Sequence, residues 1–174
     1  MARKPELTFS RLTRVIGKSP EHPHANPELK SQYFPHELYI NETHGVSTLK
    51  QEQTQYTPEE LISMLFQHAK DMTTNYGGKV IKDCVITVPS SFTQRERSAV
   101  YTAAEIAELR VLTLVEENTA AAIYFGIDRV FETPHTVLFY NMGASSIQVI
   151  PQHSHSKTAK YLRFYSSNPY NNYY

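Results

Sequence analysis

From residue 57 onward, segments with the spacing of an amphipathic helix alternate with short runs of β-branched residues. Residues 57–60 read TPEE: the threonine can cap a helix, the proline fits its first position, and the two acidic residues suit its positive end. The positions that then share one helical face are Leu61, Met64, Leu65, His68 and Met72. Gly77 and Gly78 end this helix, and DCVITV at 83–88 predicts a buried strand.

The same alternation continues to residue 150. Thr93 and Glu96 have the spacing of a capping box, and the helix that they open has a face of small residues: Ala99, Val100, Ala103, Ala104 and Ala107. VLTLV at 111–115 predicts a second buried strand, followed by a short helix over 119–125 that Gly126 ends. A third strand at 136–140, a tight turn at 141–146 and a hairpin partner at 147–150 complete the pattern.

Helices that alternate with strands predict an α/β fold with partly parallel strands. Upstream, we expect a short helix over 9–17 that Gly17 ends, and a small hairpin formed by 37–40 and 45–49. The segment 151–174 has few aliphatic residues and holds five of the 12 tyrosines, so we expect it to be irregular.

Charge and hydropathy exclude some classes of partner. The 174 residues include 17 Lys and Arg against 17 Asp and Glu, so no net charge draws the chain to nucleic acid or to an anionic membrane. No apolar run is long enough to span a bilayer, and the first residues lack a stretch of the signal-peptide type. We therefore expect no nucleic-acid or membrane partner. The histidines show no metal-ligand spacing on one element, so we expect no direct metal site.

The turn after the third strand is built of small residues: Gly143, Ala144, Ser145 and Ser146. Small residues let backbone N–H groups approach a phosphate closely. The spacing alone is equally that of an ordinary hairpin turn, so it permits both interpretations.

Three longer strings carry a resemblance to a known family. VITVPSSFTQRER, LRVLTLVEENTAAAIYFGID and VLFYNMGASS are similar, in the same order and at the same separations, to three blocks of the nucleotide-binding domain of heat-shock-70 chaperones. FSRLTRVIGK and YTPEELISMLFQHAK resemble two upstream blocks, so the resemblance covers roughly the first 150 residues. YFPHELYI, RVIGKSPEHP and FYNMGAS look most like the hypoxia up-regulated branch, the large chaperones of the endoplasmic reticulum.

The resemblance implies an actin-like, ribonuclease-H-like ATPase fold, of which this chain holds mainly lobe I. Residues 1–55 would be the upper subdomain of lobe I, 56–133 its lower subdomain, and 134–150 the start of lobe II with a phosphate loop, before the tail at 151–174. A full-length parent would bind ATP or ADP with Mg²⁺. Because one phosphate loop and the adenine pocket fall outside the matched strings, we expect weak or no nucleotide binding by this chain.

Individual residues inherit candidate roles from the resemblance. Glu117 falls on the family glutamate that orients magnesium-bound water, and residues 143–146 fall on the phosphate loop. Pro89 and Arg97 fall on the pair that couples nucleotide state to the rest of the chaperone. Each of three residues also has a purely structural interpretation. Glu117 would be a solvated carboxylate at a strand end, Pro89 a strand terminator, and Arg97 part of a solvated helix face.

Several nucleotide-site positions depart from the family. Thr13 replaces a lysine that stabilises charge on the transferring phosphoryl group, and Asn141 replaces the leading aspartate of the loop. Ala144 and Ser145 replace glycines. These departures argue against efficient hydrolysis, so the resemblance leaves enzymatic activity open.

The resemblance implies a chaperone of the endoplasmic reticulum lumen, whose nucleotide controls polypeptide binding or nucleotide exchange. Its partners would be unfolded polypeptides and a heat-shock-70 partner chaperone. The sequon Asn41-Glu42-Thr43 is a glycosylation candidate that fits this compartment. Two alternatives stay open: a truncated, non-catalytic remnant acting as an interaction module, and a sugar-kinase-like enzyme that shares the strand–turn phosphate loops.

Overall fold

The computed structural model describes residues 8–18, 38–41, 46–51, 54–127, 129, 133, 135–143, 147–154 and 162–164. The chain divides into two compact units. The first unit comprises Met1–Ile86 and Ser91–Thr113, and the second comprises Thr87–Ser90 and Leu114–Tyr174. No helix in the described part of the chain combines the length and the apolar character needed to cross a membrane.

An antiparallel sheet of three strands lies in the first unit, in the order β1 (Leu38–Asn41), β2 (Val46–Gln51), β3 (Thr54–Tyr56). The β1–β2 pair confirms the hairpin predicted from 37–40 and 45–49. The sequence pattern missed β3, because three residues, two of them polar, carry too little alternation to stand out.

Helix α1 (Pro58–Gly77) confirms the first predicted helix and both of its ends. Thr57 and Glu60 form a full capping box, and the C-cap residue Gly78 has φ 65°, in the left-handed region. Of the residues that share the predicted face, Leu61 is buried, as is the neighbouring Ile62, whereas Met64, Leu65 and Met72 are exposed. The elements packed on α1 within the described part of its unit are β2, the Leu12–Arg14 turn and the next helix, and they do not cover those three side chains.

Helix α2 (Gln94–Ile106) packs against α1. Its capping box at Thr93 and Glu96 is confirmed, and so is its small-residue face, since the following are buried: Ala99, Val100, Ala103, Ala104 and Ala107. Small side chains on this face let the two helix backbones approach closely.

The helix predicted over 9–17 is instead a 3₁₀ turn at Leu12–Arg14. Arg11 at its N-cap is left-handed, with φ 56°, which stops an α-helix from starting earlier. The turn ends at Arg14, three residues before the predicted stop at Gly17, and Gly17 has φ 65°. A Cβ placed on Gly17 would lie 2.8 Å from Glu96 Cα, so this glycine packs directly on the first turn of α2.

Strands β4 (Asp83–Val88) and β5 (Arg110–Glu116) pair in a two-stranded sheet. Both predicted strands exist, but the expectation that they are buried is wrong: Val88 is buried, whereas Val85 and Leu112 are exposed.

An ion pair of 2.6 Å joins Arg110 Nη2 to Asp83 Oδ2. The hydrogen bond that the Arg110 guanidinium donates lowers the pKa of the Asp83 carboxyl. Partial burial of the Cys84 thiol raises its pKa, and the negative charge of Asp83 raises it further.

The second unit holds α3 (Glu117–Gly126) and an antiparallel sheet of β6 (His135–Met142), β7 (Ile147–Ser154) and β8 (Leu162–Phe164). The helix begins two positions before the predicted start, and the β6–β7 hairpin is confirmed. Both three-stranded sheets are antiparallel throughout. For the pair β4–β5, which α2 connects, the expected parallel direction stays a prediction.

The segment predicted to be irregular, 151–174, contributes residues 151–154 to β7 and residues 162–164 to β8. Composition did not reveal these strands, because β7 continues through polar residues that owe their extended conformation to pairing with β6. Residues 155–161 and 165–174 lie outside the described part of the chain.

Candidate functional site

Glu117 lies at the first residue of α3, where the chain passes directly from β5 into the helix. Its carboxylate sits at the positive end of the helix dipole, which stabilises a negative charge. The side chain is half-buried. The next residue, Asn118, is only 2% exposed. The first two residues of α3 therefore present one carboxylate and one buried amide to their surroundings.

The β6–β7 hairpin brings two more amides to the same place. Its register pairs Asn141 directly with Gln148, so the two side chains share one face of the sheet. Phe139 lies two residues before Asn141 on that face, and its ring packs edge-on against Phe125 of α3 with centroids 5.6 Å apart. The face that carries Asn141 and Gln148 is thus the one that packs on α3.

Two hydrogen bonds join the helix start to the hairpin. Gln148 Nε2 donates to Glu117 Oε2 at 3.2 Å, and Asn141 Nδ2 donates to Asn118 Oδ1 at 3.1 Å. We call these four residues, Glu117, Asn118, Asn141 and Gln148, the amide cluster. Two of the candidate residues from the sequence, Glu117 and Asn141, thus lie in one cluster, connected through Asn118 and Gln148.

The amide cluster has a limited chemical repertoire. It contains one ionisable group, the Glu117 carboxylate, and that group already accepts a hydrogen bond from Gln148. Within the described part of the chain, Asn118 Nδ2 and Gln148 Oε1 are buried without a hydrogen-bond partner. One donor and one acceptor are therefore left for a further polar group, which suits recognition better than proton transfer.

Magnesium takes about six oxygen ligands in octahedral geometry and binds proteins mainly through carboxylates and retained waters. The amide cluster offers a single carboxylate, and the amide N–H groups of Asn141 and Gln148 point at the oxygens of Asn118 and Glu117. The described residues include no group of three or more His, Cys, Asp or Glu side chains that could hold a metal. The cluster by itself does not fit a protein-held magnesium ion.

The other candidate residues lie on separate elements. Thr13 is exposed on the 3₁₀ turn of the first unit. Gly143 follows β6 and is exposed, while Ala144, Ser145 and Ser146 lie outside the described residues. Whether residues 143–146 form a phosphate loop therefore stays a prediction.

Two further candidates belong to different units. Pro89 follows β4 in the second unit and is half-buried. Arg97 lies on α2 in the first unit, where its Nε donates to the carbonyl oxygen of Phe92 at 3.0 Å. That hydrogen bond gives Arg97 a local structural role, because it holds the loop that leads into α2. The glycosylation candidate Asn41 is the last residue of β1.

Sequence reasoning overlooked Gln148. The available signal was the hairpin itself: with the turn centred on 143–146, residue 141 must lie opposite residue 148.

Comparison with known proteins gives a consistent result. The family model described as Hsp70 protein matches residues 1–150. Hypoxia up-regulated protein 1 of Danio rerio is 36% identical over 148 residues, and that of Homo sapiens is 35% identical over 149; each match covers 83% of this chain and 15% of the relative. The protein of the same name from Xenopus tropicalis is 33% identical over 149 residues, 83% of this chain and 23% of the relative. The chain thus spans between about one-seventh and one-quarter of the length of these relatives.

Proposed function

Since the chain belongs to the Hsp70 family, we propose that it is a segment of the nucleotide-binding domain of a chaperone that assists protein folding in the endoplasmic reticulum. The observation that carries the proposal is the family match over residues 1–150, together with similarity to hypoxia up-regulated proteins of several vertebrates. Stress response and chaperone activity follow from the family. The compartment rests on resemblance to relatives, and the Asn41 sequon is consistent with it.

Within that proposal, residues 1–55 and 56–133 are the upper and lower subdomains of lobe I, and 134–150 begins lobe II. In the whole protein, ATP or ADP would control binding of unfolded polypeptides, or nucleotide exchange on an Hsp70 partner chaperone. Glu117 and the 143–146 turn are the proposed nucleotide-facing residues, Thr13 and Asn141 the proposed weakened positions, and Pro89 with Arg97 the proposed coupling pair.

The amide cluster supports binding over catalysis. An amide at residue 141 cannot accept a proton, and the Glu117 carboxylate is held by Gln148. Thr13 cannot supply the positive charge of a lysine. We infer that a whole protein with this segment would bind nucleotide more readily than it would hydrolyse it.

A segment exchange tests the proposed function. Residues 1–150 replace the matching segment of the Danio rerio relative, and the chimera is assayed for suppression of aggregation of a denatured client with and without ATP. We expect aggregation suppression close to that of the unmodified relative and a lower rate of ATP hydrolysis. A folded chimera without ATP-responsive client binding would contradict the proposal.

Calorimetry tests the chain itself. Magnesium–ATP titrated into the 174-residue protein should give weak or no heat. Tight binding would contradict the partial-site expectation, and an increase in ATP turnover on adding sugars would favour the sugar-kinase alternative.

A further inference from the structure

The contact between Gln148 and Glu117 sets the charge balance of the amide cluster. Glu117 is the only ionisable group there, and a carboxylate only accepts hydrogen bonds, so Gln148 must turn its nitrogen toward it. The distance from Gln148 Nε2 to Glu117 Oε2 is 3.2 Å. Glu117 is also the first residue of α3, where the helix dipole is positive. Two partial positive charges therefore stabilise the carboxylate without a metal cation.

The polar atoms that the amide cluster leaves unpaired are a poor set of metal ligands. Within the described residues they are Asn118 Nδ2, a donor, and Gln148 Oε1, an acceptor. An N–H group carries a partial positive charge and disfavours a neighbouring cation. The cluster can thus offer a cation one amide oxygen and one carboxylate. Mg²⁺ takes about six oxygen ligands, and in proteins it usually adds waters and substrate phosphates to one or two carboxylates.

Displacing Gln148 from Glu117 would leave both polar atoms of its amide unpaired. Its Oε1 atom is already buried without a partner, and its Nε2 atom would lose the bond to Glu117. Unpaired buried polar groups are costly. The register also fixes Gln148 opposite Asn141, in the hairpin that packs on α3. A cation that took the place of Gln148 at the carboxylate would have to overcome that cost.

We propose that Gln148 is a positioning residue that holds the Glu117 carboxylate in the place of a metal cation. This inference rests on the proposed function, because it concerns the same nucleotide-facing residue. The carboxylate keeps its orientation before nucleotide arrives, since its partner belongs to the fold and is not an exchangeable ion. Mg²⁺ would then reach this segment together with the phosphates of ATP or ADP, and the amide cluster would not hold it beforehand.

Mn²⁺ binding to the 174-residue chain tests the proposal without any nucleotide, so its outcome is separate from that of the proposed function. Mn²⁺ prefers the same oxygen ligands as Mg²⁺, and electron paramagnetic resonance measures the fraction that stays free. Over about 10 μM to 1 mM Mn²⁺, the wild-type chain and Glu117→Gln should give the same binding curve. Gln148→Glu brings a second carboxylate against Glu117 and should gain one site that binds at least about tenfold more tightly than the wild-type chain does.

Two further variants serve as controls. Gln67→Glu is matched, because Gln67 also donates to a carboxylate, Asp71 Oδ1 at 2.8 Å, but in an exposed pair. It should gain no site of that affinity, since exposed carboxylates stay solvated. The exchange of Glu117→Gln with Gln148→Glu in one chain restores an amide and a carboxylate to the contact. This exchanged pair should fold, as circular dichroism shows, and should lose the gained Mn²⁺ site.

Three results would overturn the proposal. Mn²⁺ that binds the wild-type chain and is lost in Glu117→Gln would show that the carboxylate takes a metal directly despite Gln148. A gain in Gln148→Glu no larger than that in Gln67→Glu would show that the contact does not stand in for a cation. Should Gln148→Glu alone fail to fold, the exchanged pair decides: if it does not fold either, the two side chains do not act as a pair.

Discussion

Gln148 shows how much one side chain contributes to the candidate site. Its amide is the contact between the hairpin and the only carboxylate of the amide cluster. The contact is half-buried, and hydrogen bonds to charged groups stabilise proteins by about 1.5–3 kcal/mol when they are shielded from water.

Replacing Gln148 should therefore destabilise the fold. We expect Gln148→Ala to lower the free energy of unfolding by about 1–2 kcal/mol, toward the lower end of that range because of partial exposure. Urea unfolding followed by circular dichroism is the measurement, since the chain has no tryptophan. Gln67→Ala is the control: Gln67 also bonds to a carboxylate, Asp71, but in an exposed pair on α1. Gln67→Ala should lower the free energy of unfolding by at most about 0.5 kcal/mol. Equal losses for the two variants would show that the amide cluster adds no more stability than an exposed pair does.

Gly17 and Gly78 offer a second comparison, because both have φ 65° and differ only in their surroundings. At Gly78 a Cβ meets nothing within 4 Å, so Gly78→Ala should cost only the left-handed backbone penalty of about 1–2 kcal/mol. At Gly17 the same atom would also lie 3.0 Å from the carbonyl oxygen of Arg95. Gly17→Ala should therefore lower stability by clearly more than Gly78→Ala in thermal unfolding, and similar losses would contradict the close packing on α2.

At the scale of elements, the two capping boxes look alike in sequence but differ in burial. Glu96 Oε2 accepts from the backbone and hydroxyl of Thr93, at 2.7 and 2.9 Å, while Oε1 pairs with Lys18 Nζ at 3.3 Å in a buried setting. Glu60 makes the same pair of bonds to Thr57, but it is exposed.

Neutralising the two glutamates should separate capping from buried charge pairing. Glu60→Gln keeps a side chain that suits a capping box and should cost at most about 0.5 kcal/mol. Glu96→Gln also removes the largely buried ion pair with Lys18 and should cost about 2–3 kcal/mol. The free energies of unfolding of both variants are measured in urea, and equal losses would show that the Lys18–Glu96 pair contributes nothing to stability.

Sequence signals located helix and strand ends better than they located burial. Caps and glycines act within a few residues, so Thr57, Thr93 and Gly78 could be identified from local chemistry alone. Burial depends on what packs against an element, which no local pattern records. The exposed side chains of Met64 and Leu112 lie at positions that the sequence correctly marks as apolar, and the described structure shows that their own unit does not cover them.

For the whole molecule, the resemblance drawn from ordered sequence strings is confirmed as membership of the Hsp70 family. The match spans most of this chain but only 15–23% of the relatives' lengths. Subdomain limits and nucleotide contacts stay predictions, because they depend on groups that the matched strings do not contain. The Glu117–Gln148 contact could not be predicted from the sequence strings, because it depends on the register of the β6–β7 hairpin. That register is a property of the folded pair of strands.

The β6–β7 register also bears on the order of folding. Its cross-strand pairs start at Met142–Ile147 beside the turn and end at His135–Ser154, so every pair is local along the chain. Closing so short a loop costs little entropy, and isolated hairpins form within about 1–10 μs. Pulse-labelled hydrogen exchange should accordingly protect β6 and β7 before β4 and β5, whose pairing must span the whole of α2. A refolding chain would then display this apolar hairpin before β4 and β5 have paired, and would itself need shielding from aggregation.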